Sequence, residues 1–207
     1  VFLDISAKIE NRETLLDAVK RTVDKISVPL TVGGGINSCK AIEELMKIGV
    51  SKVSINTAAV KNPNLVKEAT KEFGSGKITI AIDTSKNLNM PSGFEVMVNG
   101  GTVGAGIDAV QWAKKVEGLG AGAILPTSMD ADGTPAGYDI PTTQAISSAV
   151  RLPVIASGGA GKLEHLYEAI VEGGADAVLV ASIAHFGTFS IRQMKEYLRD
   201  RGIAVKL

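Results

Sequence analysis

Charge of one sign, cysteine, aromatic rings and long apolar runs are all scarce in this chain. Several of these scarcities remove a class of function. Lys plus Arg and Asp plus Glu both total 22 over 207 residues, so the formal net charge is zero. With no basic stripe, nucleic acid and membrane surfaces are poor partners. No apolar run approaches the ~20 residues of a membrane span, and no signal-peptide pattern opens the chain. The single cysteine, Cys39, excludes an internal disulfide framework and fits a reducing cytoplasm. It falls at an expected helix start with no histidine near in sequence, so it reads as packing. The two histidines, His165 and His185, have no Cys, His or Glu at ligand spacing. They read as structural, and neither a metal nor another cofactor is expected. Gly74-Ser-Gly-Lys77 and Gly158-Gly-Ala-Gly-Lys162 mimic fragments of a P-loop. Ile78 or Leu163 stands where a magnesium-binding hydroxyl belongs, which excludes nucleotide hydrolysis. Asp130-Ala-Asp132-Gly133 lacks the later ligands of a calcium loop.

What the chain does have is a phrase written twice. The first copy runs Val28-Pro-Leu-Thr-Val-Gly-Gly-Gly35, then a helical pattern, then Lys52-Val-Ser-Ile-Asn-Thr57. The second runs Leu152-Pro-Val-Ile-Ala-Ser-Gly-Gly159, then a helical pattern, then Ala177-Val-Leu-Val-Ala-Ser182. Each copy is a buried strand, a glycine turn, a helix and a strand ending in small or polar residues. Such glycines let backbone N–H groups turn towards an anion at a helix N-terminus. Two cradles suggest a substrate with a phosphate at each end, held by backbone N–H groups and hydroxyls rather than by lysine or arginine.

Apolar, β-branched runs recur at 1–5, 29–33, 52–56, 78–82, 122–127, 153–157 and 176–181. They are too continuous for a half-exposed sheet and suit parallel strands buried on both faces. Helical stripes lie between them: Leu15, Leu16, Val19, Val23 and Ile26; then Leu65, Val66, Ala69 and Phe73, with Asn62-Pro63 as cap and first turn. Ile107, Val110, Ala113 and Val116 make a third stripe, and Leu163, Leu166, Tyr167 and Ile170 a fourth. Ser190 is expected to cap a last helix burying Ile191, Met194 and Leu198. Strands alternating with helices mean an α/β fold, and the duplication favours a (β/α)8 TIM-barrel type built from two half-barrels. Seven of its eight strand–helix units can be counted, as one domain over 1–207. The chain opens inside a strand with no methionine, so the absent first unit is expected upstream of Val1. The connection 84–105, with alternating Phe94-Glu-Val-Met-Val98 and Asn99-Gly-Gly101, reads as a hairpin over the barrel mouth.

In such barrels the C-terminal strand ends carry function. Those ends are Asp4, Gly34-Gly35, Asn56-Thr57, Asp83, Thr127-Ser128, Ser157-Gly158-Gly159 and Ala181-Ser182. Asp83 terminates Ile78-Thr-Ile-Ala-Ile82, and an apolar rim raises a carboxyl pKa towards the acid–base range. Taken alone it reads equally well as the cap of the next turn. Asp4 reads as structural. Asp130 is either a loop residue or a substrate contact.

Val32-Gly-Gly-Gly-Ile36, Val53-Ser-Ile-Asn-Thr-Ala-Ala59, Ala81-Ile-Asp83, Thr127-Ser-Met-Asp-Ala-Asp-Gly-Thr134 and Ala156-Ser-Gly-Gly-Ala-Gly-Lys162 together resemble the cyclase (HisF) family of imidazole glycerol phosphate synthase subunits. The match spans nearly the whole chain. It implies a half-barrel duplication acting in histidine biosynthesis, with a glutaminase partner supplying ammonia. The implied substrate is a bisphosphorylated phosphoribulosyl-formimino aminoimidazole carboxamide ribonucleotide. The implied products are imidazole glycerol phosphate and the aminoimidazole carboxamide ribonucleotide. The same resemblance makes Asp83 one of two catalytic aspartates, the other falling in the first strand. It assigns Gly35, Asn56 and Thr57 to one phosphate site and Gly133, Gly159, Ala181 and Ser182 to the other. Gly34, Thr127, Asp130, Ser157 and Gly158 are expected to line the same mouth. Lys52 matches one of four residues that close the barrel bottom as an ammonia gate, while Ala123 stands where the family has a glutamate. The sister sugar isomerase of the same pathway and a non-catalytic bisphosphate binder are the alternative readings.

Overall fold

A computed structural model describes residues 1–4 and 16–206. Ile5 and Leu15 of the expected first strand and first stripe lie outside the described residues. The chain order begins β1 (Phe2–Leu3), α1 (Leu16–Val23), β2 (Thr31–Gly33), α2 (Cys39–Lys47), β3 (Lys52–Ile55), α3 (Thr57–Lys61), α4 (Asn64–Phe73) and β4 (Ile78–Lys86). It continues β5 (Phe94–Val98), β6 (Val103–Asp108), α5 (Ala109–Gly118), β7 (Ala123–Ser128), α6 (Ile140–Ser147) and β8 (Ile155–Ala156). It ends α7 (Leu163–Val171), β9 (Ala177–Val178), α8 (Ser182–His185) and α9 (Ile191–Arg199).

The barrel strands run parallel in sequence order. β1 pairs β2, β2 pairs β3, β3 pairs β4 and β4 pairs β7. β7 joins β8 through the bridges Ile124–Val154 and Thr127–Ser157, and β8 pairs β9. All seven expected strands are therefore present among the described residues, in the order a (β/α) barrel requires. Ile78, Ile80 and Ile82 are buried along with Thr79 between them, so β4 is covered on both faces as its unbroken apolar run implies. Burying an isoleucine side chain in this way stabilises by about 1.5–3 kcal/mol.

β4 is longer than a barrel strand needs to be. Its first residues pair with β3, as far as Ile55–Ile80; from Asp83 to Lys86 the same side pairs antiparallel with β5. β5 and β6 form the expected hairpin, turned by Asn99 (φ 55°), Gly100 (φ 69°) and Gly101 (φ 79°). Three consecutive positive φ angles explain why small residues fill the turn.

Caps set the helix starts. Ser38, Asp108 and Asp139 accept from backbone N–H groups of Ala41, Gln111 and Thr142, at 3.3, 2.9 and 3.1 Å. Ser190 and Gln193 cap each other's backbone at 3.2 and 2.8 Å, a full capping box. Three expectations shift. Ile107 belongs to β6 rather than to the α5 stripe, because Asp108 caps the helix one residue later. Asn62 ends α3, and α4 starts beyond Pro63 with no side-chain cap. Ile191 is 53% exposed, and only Met194 and Leu198 of its trio are buried.

Candidate active site

Asp83 sits where β4 exchanges β3 for β5, at the C-terminal rim of the barrel. Its backbone is flanked on both sides, by Met97 of β5 and by Thr127 of β7. Asn56 follows the last residue of β3 and therefore stands in the gap between the departing and arriving strands. Its Nδ2 donates to Asp83 Oδ2 at 2.8 Å and to the Met97 carbonyl at 3.2 Å. Burial pushes the Asp83 carboxyl up to about 6; the Asn56 hydrogen bond opposes that rise and the nearby Asp132 adds to it. A carboxyl poised there can both accept and donate a proton near neutral pH.

The glycine turns flank this carboxyl in sequence order, and both are tightly enclosed. Gly34 (φ 97°) has no room for a side chain, since a Cβ would lie 2.1 Å from the Asp4 carbonyl oxygen. Asp4 is buried, and its N–H donates to Gly33 at 2.9 Å. Gly35 follows at φ 71°. In the second copy Gly158 (φ 87°) would meet Asp132, and a Cβ on Gly159 (φ 97°) would lie 2.0 Å from the Gly137 carbonyl oxygen. The Gly137 N–H donates back to Gly159 at 2.8 Å. Ser157 is buried beside Thr127 through the β7–β8 bridge. Gly133 (φ 76°) has open space around it.

Side chains of the first cradle are largely engaged. The Asn56 amide holds Asp83, and the Thr57 hydroxyl accepts from the Asn99 N–H of the hairpin at 2.9 Å. What the first cradle offers an anion is backbone, as the absence of lysine and arginine in the motif implies. Ala181 and Ser182 are exposed and open the short α8, as Asn56 and Thr57 open α3. Asp130 faces β4: Ser85 Oγ donates to it at 3.2 Å and the Lys86 N–H at 2.9 Å. It thus fastens the loop after β7 to the hairpin base. Sequence reading overlooked Asp139, whose carboxylate accepts from Ser128 Oγ at 2.9 Å while capping α6. An aspartate just before Ile-Pro-Thr at a helix start was the available signal.

The remaining polar candidates are structural. His165 Nδ1 accepts from the Gly161 N–H at 3.1 Å, and His185 meets Phe186 edge-on. Burial and the nearby Glu72 and Glu68 push the Cys39 thiol upward, the reverse of activation. Among the described residues, no group of three or more His, Cys, Asp or Glu side chains could hold a metal ion. No helix among them is long and apolar enough to cross a membrane. Lys52 is exposed at the N-terminal end of β3, the end opposite Asn56, and Ala123 is buried at the start of β7. An open space of about 640 Å3 lies between β1 and β9, lined by Val1 and Leu3 on one side and by residues 178–182, His185 and Phe186 on the other.

Comparison with known proteins agrees with this geometry. Residues 1–190 match the family described as "Histidine biosynthesis protein". The imidazole glycerol phosphate synthase subunit HisF of Methanosarcina mazei is 50% identical over 222 residues, covering all of this chain and 81% of the relative. The subunit of the same name in Methanosarcina acetivorans matches with the same identity and coverage. A parallel (β/α) barrel with duplicated glycine turns, and half of all aligned residues in common with these subunits, leave one assignment: the chain belongs to the HisF family of imidazole glycerol phosphate synthase subunits, within histidine biosynthesis.

Proposed function

We infer that the chain is the cyclase of this synthase, a lyase that closes the imidazole ring on a bisphosphorylated substrate. The observation that carries the reading is Asp83. It is the acid at a C-terminal strand end whose carboxyl is lifted to about 6, and it lies between two copies of one glycine turn. Ammonia adds to the ribulosyl carbonyl, water leaves to give an imine, and nitrogen then closes on the formimino carbon. That closure expels the aminoimidazole carboxamide ribonucleotide. Each step needs a proton moved at a carbon–nitrogen or carbon–oxygen bond, which a carboxyl near neutrality does well. The backbone N–H groups at Gly34, Gly35, Asn56 and Thr57 suit one phosphate, and those at Gly133, Gly158, Gly159, Ala181 and Ser182 suit the other. Thr127, Asp130 and Ser157 shape the wall between them.

The partner in this reading is a glutaminase docked at the N-terminal strand face, where Lys52 is exposed. Ammonia made there travels to Asp83 without dilution into water. Replacing Asp83 with asparagine tests the reading: turnover should fall at least ~100-fold while bisphosphate binding persists. Near-normal turnover would return Asp83 to a capping role.

A further inference from the structure

Asn56 makes two contacts that its place in a phosphate motif does not explain. Its Nδ2 meets both Asp83 Oδ2 and the Met97 carbonyl, and Met97 is the residue paired with Asp83 across β4 and β5. One amide group therefore joins the carboxylate to the strand that covers it. Among the described residues, the Asn56 Oδ1 is buried with no hydrogen-bond partner. The side chain has two N–H donors and both are used, so nothing on it remains to bind a phosphate. Its orientation is fixed, because turning the amide over would set Oδ1 against the Asp83 carboxylate and forfeit both donors. Among the described residues, Asp83 Oδ1 has no hydrogen-bond partner.

We propose that Asn56 is a positioning residue for Asp83. It fixes Oδ2, leaves Oδ1 for the reacting group, and makes the aim of the carboxylate depend on the hairpin being in place. The inference rests on Asp83 as the acid–base group. Donation from Asn56 also favours the ionised carboxylate and so holds the carboxyl below the value that burial alone would give. Among the described residues, Asp132, on the loop after β7, is a charged group whose field reaches Asp83, and it acts in the opposite sense.

Asn56→Ala is the direct test. Ala181 holds the equivalent turn of the second copy at φ −122°, ψ −85°, against φ −118°, ψ −90° at Asn56, so alanine fits that backbone. The Asp83 carboxyl is followed by carbon NMR in the full chain, its signal assigned by its loss in Asp83→Asn. Its titration midpoint should rise by about one unit in Asn56→Ala. It should rise further in the isosteric Asn56→Asp, which sets a second carboxylate beside it. In turnover assays of Asn56→Ala, kcat should fall ~10- to 100-fold, its acid limb should move up in pH, and KM should stay within ~3-fold. A midpoint that stays put in both variants overturns the proposal. So does a raised KM with unchanged kcat, which would mark a phosphate ligand instead. The titration is read without turnover. An active Asp83→Asn enzyme would therefore defeat the acid–base reading of Asp83, while the titration midpoints decide the role of Asn56 separately.

Discussion

Asn56 and Ala181 share one backbone conformation, φ −118°, ψ −90° and φ −122°, ψ −85°, and each leads into a short helix. The glycine pairs before them agree as well, with Gly34 and Gly158 at φ 97° and 87° and Gly35 and Gly159 at 71° and 97°. The duplication is thus recorded in dihedral angles where the side chains have diverged. Only one copy places an amide against a carboxylate, so equivalent turns now do different work.

Raising the Asp83 carboxyl links activity to stability. Its folded value, about 6, lies above its ordinary 3.8, so the folded state favours the protonated form. That contribution is fully present below pH 3.8 and is lost as pH rises through about 6. The loss is on the order of 3 kcal/mol. Asp83→Asn should therefore raise Tm at pH 7, and the gain should shrink towards pH 4. Equal gains at both values would count against a buried, ionised carboxylate.

Glycine turns should fail structurally before they fail in binding. A side chain at Gly159 or Gly34 drives into the Gly137 or Asp4 carbonyl, and Gly159→Ala or Gly34→Ala should cost at least about 2 kcal/mol in denaturant unfolding. Gly133→Ala meets open space and pays only for its positive φ of 76°, about 1 kcal/mol. If Gly159→Ala and Gly133→Ala are equally stable, the close approach between the two loops is not present in solution.

Ser190→Ala removes one half of the capping box on α9. Unfolding free energy should drop by about 1 kcal/mol with no change in turnover. Loss of activity at full stability would be inconsistent with the helix serving only as a wall of the barrel.

Ala123 at the start of β7 leaves a small side chain near the end of the barrel where Lys52 lies. Free ammonium salts should support turnover in the absence of glutamine, and Ala123→Glu should reduce that leak. Turnover with glutamine alone, even at high ammonium, would show a closed gate despite the alanine.

Strands are legible in the sequence because β-branched runs such as Ile78–Ile82 have no exposed solution. The hairpin is legible because Phe94–Val98 alternates and ends in Asn-Gly-Gly. The Asn56–Asp83 contact is not, since the two residues are brought together only by β3 leaving β4 where β5 arrives. Nor is the full reason for the glycines: sequence suggests an anion, while the structure adds the Asp4 and Gly137 carbonyls pressed against them. Ile107 escapes a periodicity argument because one apolar residue before a cap fits either period, and Gly106 with Asp108 is the stronger signal. Ile191 is the first residue of its helix, just after Ser190, and there a fitting spacing does not guarantee a buried face.

A strand shared between a barrel and a ribbon also has a history written into it. Residues 78–82 of β4 pair only within the barrel, while 83 and 84 pair with both β7 and β5 and 85 and 86 with β5 alone. The ribbon is thus a graft rooted in the barrel, and its 99–101 turn is tied back to the rim by the Asn99 N–H, which donates to Thr57. Leu88, in the 87–93 turn, is 96% exposed, so additions or deletions around it would extend or trim the graft without shifting its root. Differences in length between relatives should therefore gather at that turn, and change there is the cheapest route by which this enzyme could acquire a longer cover over its substrate.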